Sequence, residues 1–226
     1  MKIDRKQTIG QIIEVIPAAM DVFHGLGVDY CCGGNAPFEE ALADLNLDVN
    51  KVEATILERV SEKASIEEPM ALEIRPLLTY IHDKHHIYAK ESLTVIDDLM
   101  KKVLKAHYRH QMDLVLALHR NVGLLKIEME AHLEEEEEEL FPAIQGWLGG
   151  LIPRETVDKL VKRMEDEHDG AGDLLKKIEQ LTDGFTPPEG ACPTQRHLYE
   201  RLHDLQNDVF QHIFLENTVL VNKLQQ

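Results

Sequence analysis

The sequence predicts an all-α fold, with a small N-terminal helical domain followed by an up-down four-helix bundle. Hydrophobic residues make up 43% of the 226 residues, but aromatic residues only 5%. Such a composition, in which Leu, Ile and Val carry most of the apolar weight, favours helices over a sandwich or a barrel. In addition, four long amphipathic segments follow one another with short Gly- and Pro-containing connections, which is typical of a helix bundle.

Three parts are predicted along the chain: a short helical domain over residues 1–61, a linker over 62–74, and the bundle over 75–226. Gly and Pro residues near 149–153 and 184–193 interrupt the helical pattern. The four bundle helices are therefore expected at about 75–106, 111–146, 153–183 and 192–224.

The first domain has helical signals of its own. Apolar residues recur at helical spacing between Ile9 and Ile16. Asn35 is expected to cap a helix that has Pro37 in its first turn and runs through Leu45. A further helix is expected over residues 49–61.

The charge and the apolar runs exclude several classes of partner. The formal net charge is −17, which argues against nucleic acid and against an anionic membrane surface. The alternative interpretation of this charge is simple solubility. No apolar run approaches the ~18 residues of a transmembrane helix, and the first residues lack the pattern of a signal peptide. We therefore expect a cytoplasmic protein, in which three cysteines do not form a disulfide framework.

Two copies of one pattern, His132-x-x-x-Glu136 and His212-x-x-x-Glu216, carry the chemistry. A spacing of four brings both side chains onto one helix face, about one turn apart. Imidazole and carboxylate on one face suit a first-row metal such as iron. The first pair is weak alone, because it lies in the six-glutamate run 134–139 and is also explained as a solvated face. The second pair lies in a less biased segment.

The other two bundle helices each offer a histidine, His82 in the first and His168 in the third. With the two pairs they make four imidazoles and two carboxylates, a set that suits a metal pair in a bundle. If both carboxylates bridge the metals, about one coordination position per metal stays open for water, dioxygen or nitric oxide.

At this point the chain resembles a known family, the Repair of Iron Centres di-iron proteins, which combine a Tyr-Cys-Cys-Gly-Gly domain with a hemerythrin-like bundle. The stretches that carry the resemblance are DYCCGG at 29–34, IHDKHH at 81–86, HLEEEEEELFP at 132–142, MEDEHDGAG at 164–172, TPPEGACPT at 186–194 and HIFLEN at 212–217.

The resemblance implies two non-haem iron ions, oxo- or hydroxo-bridged, with Glu136 and Glu216 as bridging carboxylates. It implies as iron ligands His82, His132, Glu136, His168, His212 and Glu216. His82 is chosen over His85, which is then expected near the site or at the surface. Glu128 and Glu167 match family carboxylates that line access to the iron.

The hemerythrin-type oxygen carriers offer a contrast. They use five histidines, with a His-x-x-x-His pair on the third helix, where this chain has Gly172 four residues after His168. They also use His-x-x-x-x-Asp on the last helix, where this chain has Asn217. The missing imidazole favours reactivity or iron release over reversible oxygen storage.

The adjacent thiols of Cys31 and Cys32 lie in a Gly-rich turn shortly before a helix. A helix N-terminus lowers the pKa of a nearby thiol, so one hypothesis is a redox or metal-handover role. The alternative is two small turn residues, one of them buried. Cys192 is expected to be structural. His107 and His110 cluster at a helix end, where a weak secondary metal site is a minor alternative.

The leading hypothesis is a stress-response protein that repairs iron–sulfur clusters damaged by nitric oxide or oxidants, by donating iron. Its expected partners are iron–sulfur cluster proteins, with nitric oxide or dioxygen as small ligands and a homodimer as a possible assembly. One alternative is an enzyme, a di-iron nitric oxide reductase that forms nitrous oxide. Others are an oxygen or nitric oxide sensor and a purely structural protein without metal.

Overall fold

The computed structural model describes residues 3–60 and 67–225. These residues form no β-strand, only an isolated bridge between Thr8 and Pro37, which confirms the predicted all-α fold. The α-helices are α1 (Ile9–Val15), α2 (Ala19–Gly25), α3 (Phe38–Asp44), α4 (Val49–Glu58), α5 (Glu67–Met70), α6 (Ile74–Ile81), α7 (Ile87–His107), α8 (Met112–Glu135), α9 (Phe141–Leu148), α10 (Arg154–Leu181), α11 (Pro193–Phe214) and α12 (Val221–Leu224).

Two compact units account for the contacts: Met1–Leu77 with Phe210–Gln226, and Leu78–Val209. The division at 209/210 falls inside α11. The predicted domain limits at 61 and 75 stay predictions. Of the predicted linker, residues 62–66 lie outside the described residues. Its remainder contains the short helix α5 and the start of α6.

The first helix of the first unit begins where local chemistry dictates. Thr8 caps α1 through a capping box, in which its side chain accepts from the Gln11 N–H and the Gln11 side chain accepts from the Thr8 N–H. The apolar face of α1 is fully buried. The expected cap of α3 was wrong: Pro37, not Asn35, holds the N-cap position, and α3 ends at Asp44. The extended backbone of Pro37 suits that position because its ring fixes φ.

Close backbone approaches explain two glycines in this unit. The Gly10 N–H donates to the Gly34 carbonyl at 2.8 Å. A Cβ on Gly10 would lie 3.1 Å from Thr218 Cγ2, and one on Gly34 would lie 2.8 Å from the Tyr30 carbonyl oxygen. The Tyr30 ring meets Phe214 edge-on, with ring centroids 6.3 Å apart. Residues 30–34 therefore pack tightly against the end of the last helix.

Long helices build the second unit, with α7 packed along α8 and α8 along α10. On α7 the buried residues Leu93, Ile96, Met100 and Val103 follow the 3–4 spacing of one helix face. Burying each such side chain stabilises the fold by about 1.5–3 kcal/mol. The third helix ends before Gly184, whose φ of +63° favours glycine, and α11 begins at Pro193.

The predicted bundle helices agree with the observed ones to within a few residues. The first two and the last are longer than their α-helical parts, because each contains a π-helical turn that the sequence did not predict: His82–His86, Glu136–Leu140 and Leu215–Leu220. None of the helices in the described part of the chain is both long and apolar enough to cross a membrane.

Gly34→Ala is expected to lower the free energy of unfolding by about 1–3 kcal/mol, because the added Cβ overlaps the Tyr30 carbonyl oxygen. Gly25→Ala is the matched control, since a Cβ there meets nothing within 4 Å. Its stability should stay unchanged or rise by up to about 1 kcal/mol. Urea denaturation of both variants measures this, and equal stabilities would contradict the steric explanation.

Candidate metal centre

Each of the three π turns contains one of the predicted ligand positions, His82, Glu136 or Glu216. In each turn an N–H bonds to the carbonyl five residues earlier, as from Ile87 to His82, Phe141 to Glu136 and Val221 to Glu216. Such turns are rare and often occur at functional sites, because they change which side chains face the interior. His86 is the last residue of the first π turn, Glu136 begins the second, and Glu216 lies in the third.

Six buried side chains form two groups that have the spacing of a metal site. In each group the potential ligand atoms all lie within 4.8 Å of one another. The first group consists of His86, Glu136, His212 and Glu216, and the second of His132, Glu136, His168 and Glu216. Both groups share the same two carboxylates, which is the arrangement that carboxylates bridging two cations require.

The imidazole Nε2 atoms turn towards the carboxylates. His86 Nε2 and His132 Nε2 each lie 3.4 Å from Glu136 Oε2. His212 Nε2 lies 2.9 Å from Glu216 Oε2. His168 Nε2 lies 3.1 Å from His132 Nε2. These contacts bring the lone-pair positions of several imidazoles to a common centre.

Glu136 and Glu216 are so deeply buried that their ionised carboxylates need a compensating charge or hydrogen bonds. Glu136 is 2% exposed and Glu216 is fully buried. Ionised carboxylates that are removed from water are unstable unless cations or hydrogen bonds compensate them. Neutral imidazoles with ionised carboxylates are ligands that first-row metals prefer. The residues present therefore fit a pair of divalent or trivalent cations.

In the first bundle helix the imidazole that belongs to a buried group is that of His86, whereas His82, the ligand predicted from the sequence, belongs to neither group. His86 is fully buried, whereas the His82 side chain is 42% exposed. His82 Nδ1 contacts Asp83 at 2.8 Å, and its Nε2 is 4.0 Å from Glu137 rather than Glu136. The two histidines lie one helical turn apart on one side, so spacing alone did not decide which turn is level with the other ligands.

Glu137 orients His86 and was missed in the sequence. His86 Nδ1–H donates to Glu137 Oε1 at 3.0 Å, and Lys90 Nζ donates to both oxygens of Glu137 at 2.8 Å. Burial raises the pKa of Glu137, but the hydrogen bonds from Lys90 and His86 outweigh it, so the pKa is below its usual value. A carboxylate on Nδ1 fixes the tautomer in which Nε2 faces the metal. No sequence signal distinguished this glutamate from its neighbours.

Glu167 does the same for His132. His132 Nδ1–H donates to Glu167 Oε2 at 2.7 Å, and this hydrogen bond lowers the pKa of the Glu167 carboxyl. The predicted role of Glu167 in access stays a prediction, although it lines a narrow cleft that reaches Glu136. Glu128 is exposed on α8, one turn before His132, and its predicted role in access also stays a prediction.

His85 lies near the site but outside both groups. It is buried, its Nδ1 lies 3.0 Å from Asp208 Oδ1, and its ring meets Tyr80 edge-on. A buried imidazole paired with a carboxylate is a structural feature of the bundle interior.

The cysteine pair has a different environment from the expected one. Cys31 is buried, and its Sγ lies 3.3 Å from Asp29 Oδ1 and 3.9 Å from Cys32 Sγ. The hydrogen bond with Cys32 and burial raise the pKa of the Cys31 thiol. The helix that follows the pair, α3, begins only at Phe38, six residues after Cys32. Ligand atoms of Asp29, Cys31 and Cys32 nevertheless lie within 4.8 Å of one another.

Cys192 contacts a histidine that is remote in sequence. His107 Nε2 lies 3.2 Å from Cys192 Sγ, and the Gln195 N–H approaches the same sulfur at 3.4 Å. This contact links the end of α7 to the start of α11. It agrees with the structural role expected for Cys192.

Comparison with known families supports this interpretation of the site. Residues 77–224 match the family model described as the Hemerythrin HHE cation binding domain. Residues 5–59 match a model described as a domain of unknown function, DUF542. The first match covers more than half of the chain and all six residues of the two groups.

Curated relatives match along nearly the whole chain. Proteins named iron–sulfur cluster repair protein YtfE from Yersinia pseudotuberculosis and Yersinia pestis are each 32% identical over 216 residues. The protein of that name from Pectobacterium atrosepticum is 30% identical. Each alignment covers 96% of this chain and 95% of the relative. The chain therefore belongs to the hemerythrin HHE cation-binding family, among the members that also carry a DUF542 domain.

Proposed function

We propose that this protein holds two iron ions between its bundle helices and repairs iron–sulfur clusters, damaged by nitric oxide or oxidants, by donating iron. The observation that carries the proposal is the pair of buried groups that share Glu136 and Glu216. The name of the relatives, iron–sulfur cluster repair protein, supports the biological role.

The proposed ligands of one iron are His86 and His212, and those of the other are His132 and His168. Glu136 and Glu216 would bridge both irons. Four imidazoles and two bridging carboxylates supply eight bonds, and an oxo or hydroxo bridge supplies two more. Two octahedral irons need twelve, so about one position per iron stays open.

Donation is favoured over oxygen storage by the ligand that this chain lacks. Gly172, where oxygen carriers place a fifth histidine, is buried in α10 one turn after His168 and offers no side chain. The iron on that side has only two imidazoles, and fewer protein bonds make release easier. When bound, the iron pair would supply redox chemistry and positions for small ligands. The protein's own residues hold it, orient His86 and His132 and exclude bulk water.

Cys31, Cys32 and Cys192 lie in the described part of the chain and form no disulfide there, which is usual in the reducing cytoplasm and agrees with the proposed cytoplasmic location. The proposed clients are iron–sulfur proteins. Cys31 and Cys32 are proposed to assist the transfer of iron, since their sulfur atoms and Asp29 form a third group with metal-ligand spacing. A homodimer also stays part of the proposal.

A second function is favoured by the adjacency of the two groups. Two nitric oxide molecules could then react side by side, with two electrons and two protons giving nitrous oxide and water. Repeated nitrous oxide formation in the presence of an electron donor would distinguish this reductase from an iron donor.

His86→Ala is expected to lower bound iron from about two ions per chain to one or none, because it removes an imidazole from the buried group. His82→Ala, its matched control one turn earlier, should keep both ions. Colorimetric iron analysis of the anaerobically loaded proteins measures the difference. Loss of iron from the His82 variant alone would restore the original sequence-based assignment.

Acidification is expected to release the iron, because protonated imidazole and carboxyl groups do not bind metals. Bound iron is measured after desalting across a pH series, with circular dichroism to follow folding. Full retention of iron at pH 4 in folded protein would contradict a site built from histidine and glutamate.

Transfer of iron is tested with protein loaded with iron-57 and incubated anaerobically with a client whose cluster has been damaged by nitric oxide. The label is expected in the client, with recovery of the client's cluster spectrum. A Cys31→Ser/Cys32→Ser variant should transfer more slowly at equal loading. Cys192→Ser, the matched thiol control, should behave as the wild type. Label that stays on fully loaded protein would exclude iron donation.

A further inference from the structure

Within the second unit, the histidines of the two buried groups are supported by different residues. On His86 the orienting carboxylate is Glu137, which Lys90 holds at 2.8 Å through both oxygens. On His132 it is Glu167, whose side chain is 33% exposed. Arg163 approaches Glu167 only at 3.9 Å. Glu167 is therefore held less closely by a cation, and is slightly more exposed, than Glu137, whose side chain is 24% exposed.

A narrow cleft connects the His132 side to the surface. It is lined by Glu135, Glu136, Leu140, Leu160, Arg163, Met164 and Glu167. One lining residue, Glu136, belongs to both metal groups, and another, Glu167, orients His132. The cleft has room for about one water molecule, so it is closed to a hydrated cation in this conformation.

Arg163 lies across the acidic mouth of the cleft. Its Nη2 is 3.0 Å from Glu135 Oε2 and 2.8 Å from Glu139 Oε2, and its Nε is 3.9 Å from Glu167 Oε1. One guanidinium thus ties three carboxylates together between α10 and the end of α8. Without it, these carboxylates would form a negative path towards Glu136.

We propose that this cleft is the route by which iron leaves, that Arg163 is the latch that closes it, and that the ion held by His132 and His168 leaves first. The inference rests on the proposed function. The positive charge opposes the passage of a cation, and its ion pairs keep the carboxylates from attracting one. The latch can open readily, because partly exposed ion pairs contribute little to stability.

The two sides differ in how closely a cation holds the carboxylate that orients the imidazole, and this difference identifies which ion is held more weakly. On the His86 side, Lys90 donates short hydrogen bonds to Glu137, which also accepts one from the His86 imidazole. The cleft residues lie on the His132 side, and the third-helix histidine there is followed by Gly172 instead of another ligand. The side nearer the cleft is therefore the side from which a client can draw iron.

The test uses the full-length protein loaded with two ferrous ions and mixed anaerobically with excess of a coloured ferrous chelator. Wild type is expected to lose its ions in two phases of similar amplitude. Arg163→Gln should accelerate the first phase about fivefold or more and leave the second unchanged, at unchanged initial loading. Arg163→Lys keeps the positive charge but not the planar guanidinium, so the rate of its first phase should lie between those of the wild type and Arg163→Gln.

Two further variants keep the inference falsifiable. Lys162→Gln is the neutral control, because Lys162 is exposed and pairs with Asp166 at 2.7 Å, away from the cleft. If this variant accelerated the first phase as much as Arg163→Gln does, the effect would be one of net charge alone, and the latch would be overturned. Lys90→Gln should accelerate the second phase, and acceleration of the first phase instead would overturn the assignment of the first ion.

The remaining outcomes separate this inference from the proposed function. An Arg163→Gln variant that folds and loads two ions as the wild type does, yet loses them at the same rate, would refute the latch but not the proposed function. Wild type that binds no iron would refute the proposed function, and the latch with it. Circular dichroism of each variant checks that the helices are intact.

Discussion

Two buried carboxylates set the constraint on which the rest of this structure depends. Glu136 and Glu216 are removed from water and each belongs to both groups of histidines. Such charges are tolerable in an interior only when cations or hydrogen bonds compensate them. Four helices must therefore bring imidazoles to one place, and these helices must be rigid enough to keep them there. Metal binding and folding of the bundle are therefore coupled, because the free energy of binding the metal is also free energy of folding.

The bundle solves the problem with π turns rather than with loops. A π turn keeps every backbone group bonded while it adds a residue to the turn, so it redirects side chains without exposing the backbone. His86, Glu136 and Glu216 all lie in such turns. Their neighbours then take supporting roles, as Glu137 does for His86. Helical elements also position ligands more precisely than loops would.

The fold was predictable from the sequence to a greater degree than the site. Helix ends were predicted closely because Gly150, Gly184 and Pro193 act locally, through φ and the missing N–H. The π turns have no such local signal, since they arise from tertiary packing. His82 and His86 share a helix face at a spacing of four, so periodicity did not decide between them. The environment of Cys31 depends on burial and on Asp29, neither of which a motif reveals.

The run of glutamates at 134–139 shows most clearly why geometry was needed. The six residues are all glutamates and seemed to form one solvated face, yet successive residues of a helix point to different sides of it. Glu136 thereby faces the metal groups, and Glu137 faces His86 and Lys90. Glu135 and Glu139 reach Arg163, while Glu134 and Glu138 stay in solvent. Part of the chain's acidity is therefore specific, because a cation route and its latch need carboxylates on adjacent sides of one helix.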